Sequence, residues 1–486
     1  MMGENLRTKS VNGIFWSFVE NFSLKFIQFL IGIVMARFLF PSDYGLIAML
    51  AIFLGVSAIF IDGGFTTALI QKKNRTEIDF STIFYFNVIL SIVIYLFLFL
   101  IAPYISLFYN LTELTIITRV ISFNLIIASF SAVARTKLTI KVDFKTQAKV
   151  SFASAIISGI IGIYMAFNNF GVWALVTQSI LNTFFQTLLL IYFVKWTPLF
   201  VFSIDSFKSL FPFSSRLVVS QLISTIYHNL YSLIIGKQYS STDLGLYSRA
   251  ETFSQFPASN ISTVLSRVTF PILSSISDDD NRIKNIYKQY LQLTAYAVFP
   301  IMFFLIGIAN PLIEFLLTDK WLGTVLILQI LCLGFLWDPI GFLNINLLYI
   351  KGESKLILRL ELIKKSIAII ILFISLPFGL IYIAIGRAFY SFLAVYINTY
   401  YTNKFIQFSY LAQMKLISPY FLLSLTMAAL VYFLTFFISG IIYKLLFGTI
   451  FGIVYYISVS YFFKFEPLLS LIDNLTKMYR QKIKTI

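Results

Sequence analysis

"RFLFPSDYGL" (Arg37–Leu46) and "KQYSSTDLGL" (Lys237–Leu246) share Asp-x-Gly-Leu, with a basic residue six positions before the Asp in each. The offset between them is 200 residues. Superposing Arg37 on Lys237 aligns the flanking apolar stretches without a gap. Asn21 then meets Gln221, Gln28 meets His228 and Leu30 meets Leu230. A chain that returns to the same punctuation within matching hydropathy is read here as duplicated.

Composition says what kind of duplicate it is. Of 486 residues, 59% are hydrophobic and 12% charged, with a mean hydropathy of +0.86. A soluble domain carries about 25% charged residues. A deficit spread over the whole length places the chain in a membrane. The formal net charge is +16. The basic residues sit mostly in short gaps between apolar runs, so they read as the cytoplasmic bias of membrane proteins, not as a nucleic-acid surface. With one Cys (Cys332) and one His (His228), no disulfide framework and no Cys/His zinc site can be built. No cofactor, metal site or catalytic residue is expected. The stretch after "MMGENLRTKSVNG" is too long for a signal-peptide core and is expected to be a retained first transmembrane helix.

A bilayer crossing needs about 20 helical residues. Cutting the apolar runs at charge clusters and at Pro, Gly and Asn predicts fourteen crossings, at about 13–37, 44–70, 80–108, 114–136, 148–168, 172–194, 212–236, 244–272, 290–317, 322–350, 357–377, 380–402, 416–438 and 441–463. With the N-terminus inside, the inner segments hold about 25 of the 37 Lys and Arg. The outer gaps hold Lys237, Lys320 and Arg37. That asymmetry predicts cytoplasmic N- and C-termini. Six helices separate the two Asp-x-Gly-Leu copies, so the repeats are parallel. The expected architecture is an all-α integral membrane protein of two parallel six-helix bundles around a central cavity. The bundles are 1–200 and 201–410, with two further helices and a basic cytoplasmic tail over 411–486. This is a transporter architecture, with a binding site expected between the halves near the midplane.

Several stretches resemble the polysaccharide flippases, the Wzx-type exporters for O-antigen and exopolysaccharide. They are "DGGFTTALIQKKNRTEIDFSTIFY" (62–85), "ARTKLTIKVDFKTQAKVSFASAIISGIIGI" (134–163), "GVWALVTQ" (171–178), "FPILSSISDDDNRIKNIYKQYL" (270–291) and "DKWLGTVLILQILCLGFLWDPIGFLNINLLYIKGESKLILRLELIKK" (319–365). The superfamily also holds the MATE multidrug exporters, and the resemblance covers roughly residues 5–410. It implies two lobes and alternating access. It implies a cargo of undecaprenyl-pyrophosphate-linked oligosaccharide, moved from the cytoplasmic to the outer leaflet of the bacterial inner membrane. A polysaccharide polymerase and a chain-length regulator are the implied protein partners, beside the membrane lipids. The alternatives are a MATE-like small-molecule exporter, which would favour an acidic cavity, and a polysaccharide polymerase or ligase, which the short outer gaps disfavour. No nucleotide-binding loop is present, so coupling to an H+ or Na+ gradient is the available energy source.

A sugar and a pyrophosphate cannot cross lipid unaided, so the protein must supply a hydrated, partly cationic groove. Ionisable residues inside transmembrane helices cost about 2.5–3.5 kcal/mol each and usually face such a cavity. Asn21, Lys25 and Gln28 form one polar stripe on the first helix. Arg216 shares a face with Ser220, Ser224, Tyr227 and Tyr231, and its planar guanidinium suits phosphate. Arg249, Glu251, Gln255, Asn260 and Arg267 make the eighth helix unusually polar. Lys25, Gln28, Arg216, Arg249 and Arg267 are therefore the candidate cargo-binding residues. Glu20, Asp62, Glu251 and Asp338 are the candidate ion-coupling acids, each open to a second reading as counter-ion to a neighbouring Lys or Arg. His228 reads as a proton carrier or as a hydrogen-bonded structural residue. Asp62 precedes Gly63-Gly64, which would permit a break, and Asp338 precedes Pro339, a kink. Glu361 and Lys365 are expected to pair at i, i+4.

Overall fold

The computed structural model describes residues 24–62, 64–276, 279–470, 472–473 and 476, with backbone alone at 62, 264–268 and 270–271. The described residues are helices joined by short turns, with no strand among them. After α1 (24–38) come α2 (Pro41–Asp62), α3 (Phe65–Gln71), α4 (Glu77–Tyr109), α5 (Glu113–Ile121), α6 (Phe123–Ile140), α7 (Phe144–Phe167), α8 (Val172–Val194) and α9 (Ile204–Gln238). They continue as α10 (Ser241–Ser274), α11 (Asp280–Leu317), α12 (Thr324–Phe335), α13 (Asp338–Ile350), α14 (Ser354–Ser375), α15 (Leu380–Ile406), α16 (Tyr410–Phe437) and α17 (Ile441–Phe462).

Eleven spans among the described residues are long and apolar enough to cross a membrane. Three of the fourteen predicted crossings do not meet that measure, and the reasons differ. α1 is described only from Leu24, α10 carries the polar series from Arg249 onward, and α14 begins with a run of Lys, Arg and Glu. All fourteen stretches are nevertheless helical over most of their described residues.

Both expected breaks are present. α2 stops at Asp62 and α3 restarts at Phe65, with Gly64 left-handed at φ 67°. Pro339 stands in the first turn of α13, where it needs no backbone partner, so α12 and α13 part at Leu336–Trp337.

The basic gap 71–79 is an ordered corner. Thr76 and Asp79 form a reciprocal capping box at the start of α4. Buried Asp79 also binds Lys72 at 2.7 Å, while Arg75 donates to the carbonyls of Leu69 and Ile70 at the end of α3. Glu77 accepts from Lys137 of α6 at 2.7 Å and from the Trp196 indole at 2.8 Å. The charges of this gap thus staple α3, α4, α6 and the segment after α8 together.

The chain forms two compact units, Met1–Ser248 and Arg249–Ile486, dividing inside α10. In the first, α7 packs along α8, α6 on α8, α4 on α6 and α2 along α9. Gly159 and Gly162 of α7 admit Ile31 and Gln178, holding α1 and α8 close. In the second, α11 lies along α16, α12 and α14 flank α15, and α17 closes on α16 and α11. Its core includes Ile308, Met427, Val431 and Tyr456.

Candidate functional site: a charged cluster in the second unit and a polar cavity in the first

The second unit gathers charge around Arg387 of α15. Gly334 lets α12 approach until a Cβ there would stand 2.8 Å from Ala388 Cα. Gly386 does the same for α14, where Ile371 lies 2.9 Å from the equivalent position. Two helices, α12 and α14, thereby converge on one turn of α15. The Arg387 guanidinium lies over the Phe335 ring at 5.5 Å and the Tyr390 ring at 5.9 Å. Asp338, displaced from its helix mate by the Pro339 break, brings its carboxylate beside the Ser391 hydroxyl and into the field of Arg387 and Lys364. Glu251 of α10 comes into the field of the same Arg387. Both acids lie deep among protein atoms but keep part of their surface accessible, as does Arg387. One cation, Arg387, thus acts on both acids, and Lys364 acts on Asp338 as well. That arrangement can hold and release a proton or a small cation. Beside it Trp337 stacks on Phe421 and meets Phe299 and Phe392 edge-on, walling one flank.

Lys364, buried on α14, pairs with Glu361 at 2.5 Å. This corrects the expectation of a Glu361–Lys365 pair. Lys364 turns inward at i+3, while Glu361 stays partly exposed beside it.

The first unit holds a cavity of about 350 Å³ between α2, α3, α6 and α8. Arg135, Gln186 and the hydroxyls of Ser129, Ser131, Thr136 and Thr183 are in its wall. Ser129, Ser131, Thr136 and Thr183 each donate to a carbonyl one turn back on their own helix. Ser129 and Ser131 also accept from Ser91 and Thr187, while the remaining lone pairs of Thr136 and Thr183 suit donors such as sugar hydroxyls or water.

The sequence-derived candidates meet different outcomes. Glu251 and Asp338 are brought together, through Arg387. Lys25 and Gln28 on α1, and Arg216 and His228 on α9, are exposed. Lys25 and Arg216 form no ion pair with any described residue. Arg249 is half-buried on α10 and has a partner. Glu20 lies outside the described residues. Asp62 and Arg267 are placed on α2 and α10 by backbone only. Arg387 was missed by sequence reasoning, although a signal existed: it is the one charged residue between Leu380 and Thr402, an apolar run in which a charge marks function by default. The polar wall of the first-unit cavity carries no such signal, because Ser and Thr are ordinary in membrane helices.

Residues 34–326 match the family model described as "Polysaccharide biosynthesis protein". Among curated relatives, the teichuronic acid biosynthesis protein TuaB of Bacillus subtilis is 27% identical over 61% of this chain and 62% of its own length, so the match spans less than two thirds of that protein. The lipopolysaccharide biosynthesis protein WzxC of Escherichia coli is 22% identical over 69% of each chain. Among solved structures, the lipid II flippase MurJ in an inward closed conformation superposes with a TM-score of 0.75 at 17% identity, covering 93% of this chain and 99% of MurJ. The flippase resemblance drawn from the sequence therefore holds, and the chain belongs to the polysaccharide biosynthesis protein family, on the all-helical transporter fold it shares with MurJ.

Proposed function

We propose that this protein flips an undecaprenyl-pyrophosphate-linked oligosaccharide from the cytoplasmic to the outer leaflet of the bacterial inner membrane, by alternating access. The observation that carries the reading is the state of Lys25 and Arg216. Both are exposed and without an ion pair among the described residues, Arg216 on α9, a helix of membrane-crossing length, and Lys25 on α1, described from Leu24. A cation kept in a membrane helix without a fixed counter-ion fits a hydrated groove that receives an anionic cargo. Gln28, Arg249 and Arg267 are the further cargo contacts in this reading. The Arg387 cluster supplies the coupling step: Glu251 and Asp338 take up and release H+ or Na+, with Glu20 and Asp62 as additional acids.

Duplication of 1–200 and 201–410, with 411–486 added, belongs to the same proposal. It is supported by reciprocal packing of the two Asp-x-Gly-Leu copies, in which Gly45 meets Ser241 and Gly245 meets Pro41. Cytoplasmic termini follow from the basic inner segments. A polymerase and a chain-length regulator would act on the delivered cargo, and the protein itself makes or breaks no covalent bond.

A deletion strain tests the function. It is expected to accumulate lipid-linked repeat units on the cytoplasmic leaflet and to lose surface polysaccharide. Repeat units that reach the outer leaflet but stay unpolymerised would assign the protein to the polymerase step instead.

A further inference from the structure

A groove of about 420 Å³ lies in the second unit where α14, α15 and the start of α16 meet. Arg359 and Ile363 of α14, one turn apart, form one wall. Tyr396, Tyr400 and Asn403 of α15, at i, i+4 and i+7, form the other, and Tyr410 at the head of α16 closes the end. The groove holds one buried unmet donor, the Tyr410 hydroxyl, beside two exposed donor side chains, Arg359 and Asn403. Arg359 and the Asn403 amide have no hydrogen-bond or ion-pair partner among the described residues. The Tyr410 Oη is buried and also without one. A buried unmet hydroxyl costs about 1–3 kcal/mol, so such a group is normally explained by something that visits it. The Tyr410 ring is held in place edge-on by Tyr396 at 5.2 Å and by Phe392 at 6.2 Å.

The surroundings identify the visitor. Outside the groove, Leu358, Leu362, Phe389 and Phe392 are exposed apolar side chains on the same two helices, a surface suited to lipid tails. At this end of the helices stand Lys351, Lys355, Lys404 and Lys415, the basic signature of an inner-leaflet boundary. A basic pocket between helices at that depth is suited to lipid headgroups. One free guanidinium balances one negative charge. That matches a phosphodiester and is too little for a pyrophosphate. We infer that this groove binds the headgroup of an anionic phospholipid of the inner leaflet, with Arg359, Asn403 and Tyr410 on the phosphodiester and the tyrosine faces along the glycerol and upper chains. The site does not depend on the identity of the cargo.

The test uses the full-length protein, purified in detergent, with phosphatidylglycerol as the probe and phosphatidylcholine as the neutral control. Binding is read by native mass spectrometry and by the rise in melting temperature on lipid addition. Phosphatidylglycerol is expected to bind saturably and raise the melting temperature, and phosphatidylcholine to do neither. Arg359→Gln and Tyr410→Phe should each weaken binding, the first by about tenfold or more because a charge-assisted bond is lost. Both should melt like wild type without lipid. Lys415→Gln, which removes an exposed basic residue outside the groove, should bind as wild type does. Unchanged binding by Tyr410→Phe and Arg359→Gln would overturn the assignment. So would an equal loss in Lys415→Gln, which would mean bulk charge attraction. A polyprenyl pyrophosphate that displaces phosphatidylglycerol at a lower concentration than phosphatidylglycerol itself requires would assign the groove to the cargo and overturn it too.

Discussion

Gly45 and Gly245, 200 positions apart, each rest on the helix that carries the other. A Cβ on Gly45 would lie 1.8 Å from the Ser241 carbonyl oxygen, and a Cβ on Gly245 would lie 1.8 Å from that of Pro41. Asp43 and Asp243 cap the same two helix starts, accepting from the Phe40 and Ser240 amides at 2.8 and 3.2 Å. Within Asp-x-Gly-Leu, then, the Asp begins each helix and the Gly lets the two beginnings touch.

Gly45→Ala and Gly245→Ala are each expected to push these helix ends apart and lower the melting temperature, by the about 1–3 kcal/mol typical of overpacking. Once one methyl has separated the helices, the second has room. The double variant should therefore cost clearly less than the two single costs added. Strict additivity in a double-mutant cycle would mean that the two contacts are independent and would contradict the reciprocal packing.

Arg387→Gln leaves Glu251 and Asp338 without their shared cation. The expected loss is about 3 kcal/mol or more, read as reduced folded protein by size exclusion and a lower melting temperature. Asp338→Asn in the Arg387→Gln background should recover part of it, because one uncompensated charge is removed. A wild-type melting temperature for Arg387→Gln would show that the three groups are not coupled.

For Lys25 and Arg216 the expectation is the opposite. With no fixed ion-pair partner, Lys25→Ala and Arg216→Ala should leave membrane levels and melting temperature near wild type while polysaccharide export collapses. Arg216→Lys should recover only part of the activity, since an ammonium cannot reproduce bidentate phosphate contacts. Normal export by the double alanine variant at matched expression would remove both residues from the cargo path.

Orientation is checked by labelling single cysteines in intact cells. Asn168→Cys and Asp319→Cys, in short turns of the outer gaps, should react with an impermeant reagent, and Lys141→Cys should not. Labelling of Lys141→Cys from outside would invert the topology.

The helices were legible from hydropathy, because solvation by lipid or water acts on local composition and needs no knowledge of neighbours. The breaks at Gly64 and Pro339 were legible for the same reason: φ freedom and a missing amide hydrogen are properties of single residues. Asp338 and Glu251 could be singled out as costly intramembrane acids, but their common partner could not. Arg387 lies 49 and 136 positions further along the chain, and only the packing permitted by Gly334 and Gly386 brings it near. The partner of Glu361 was likewise a matter of which face of α14 turns inward, which moved the pair from Lys365 to Lys364. Asp-x-Gly-Leu divides along the same line. Its recurrence is a pattern in one dimension. That the two glycines exist for each other follows from three-dimensional close approach, because backbone-to-backbone contact leaves no pattern in hydropathy or charge.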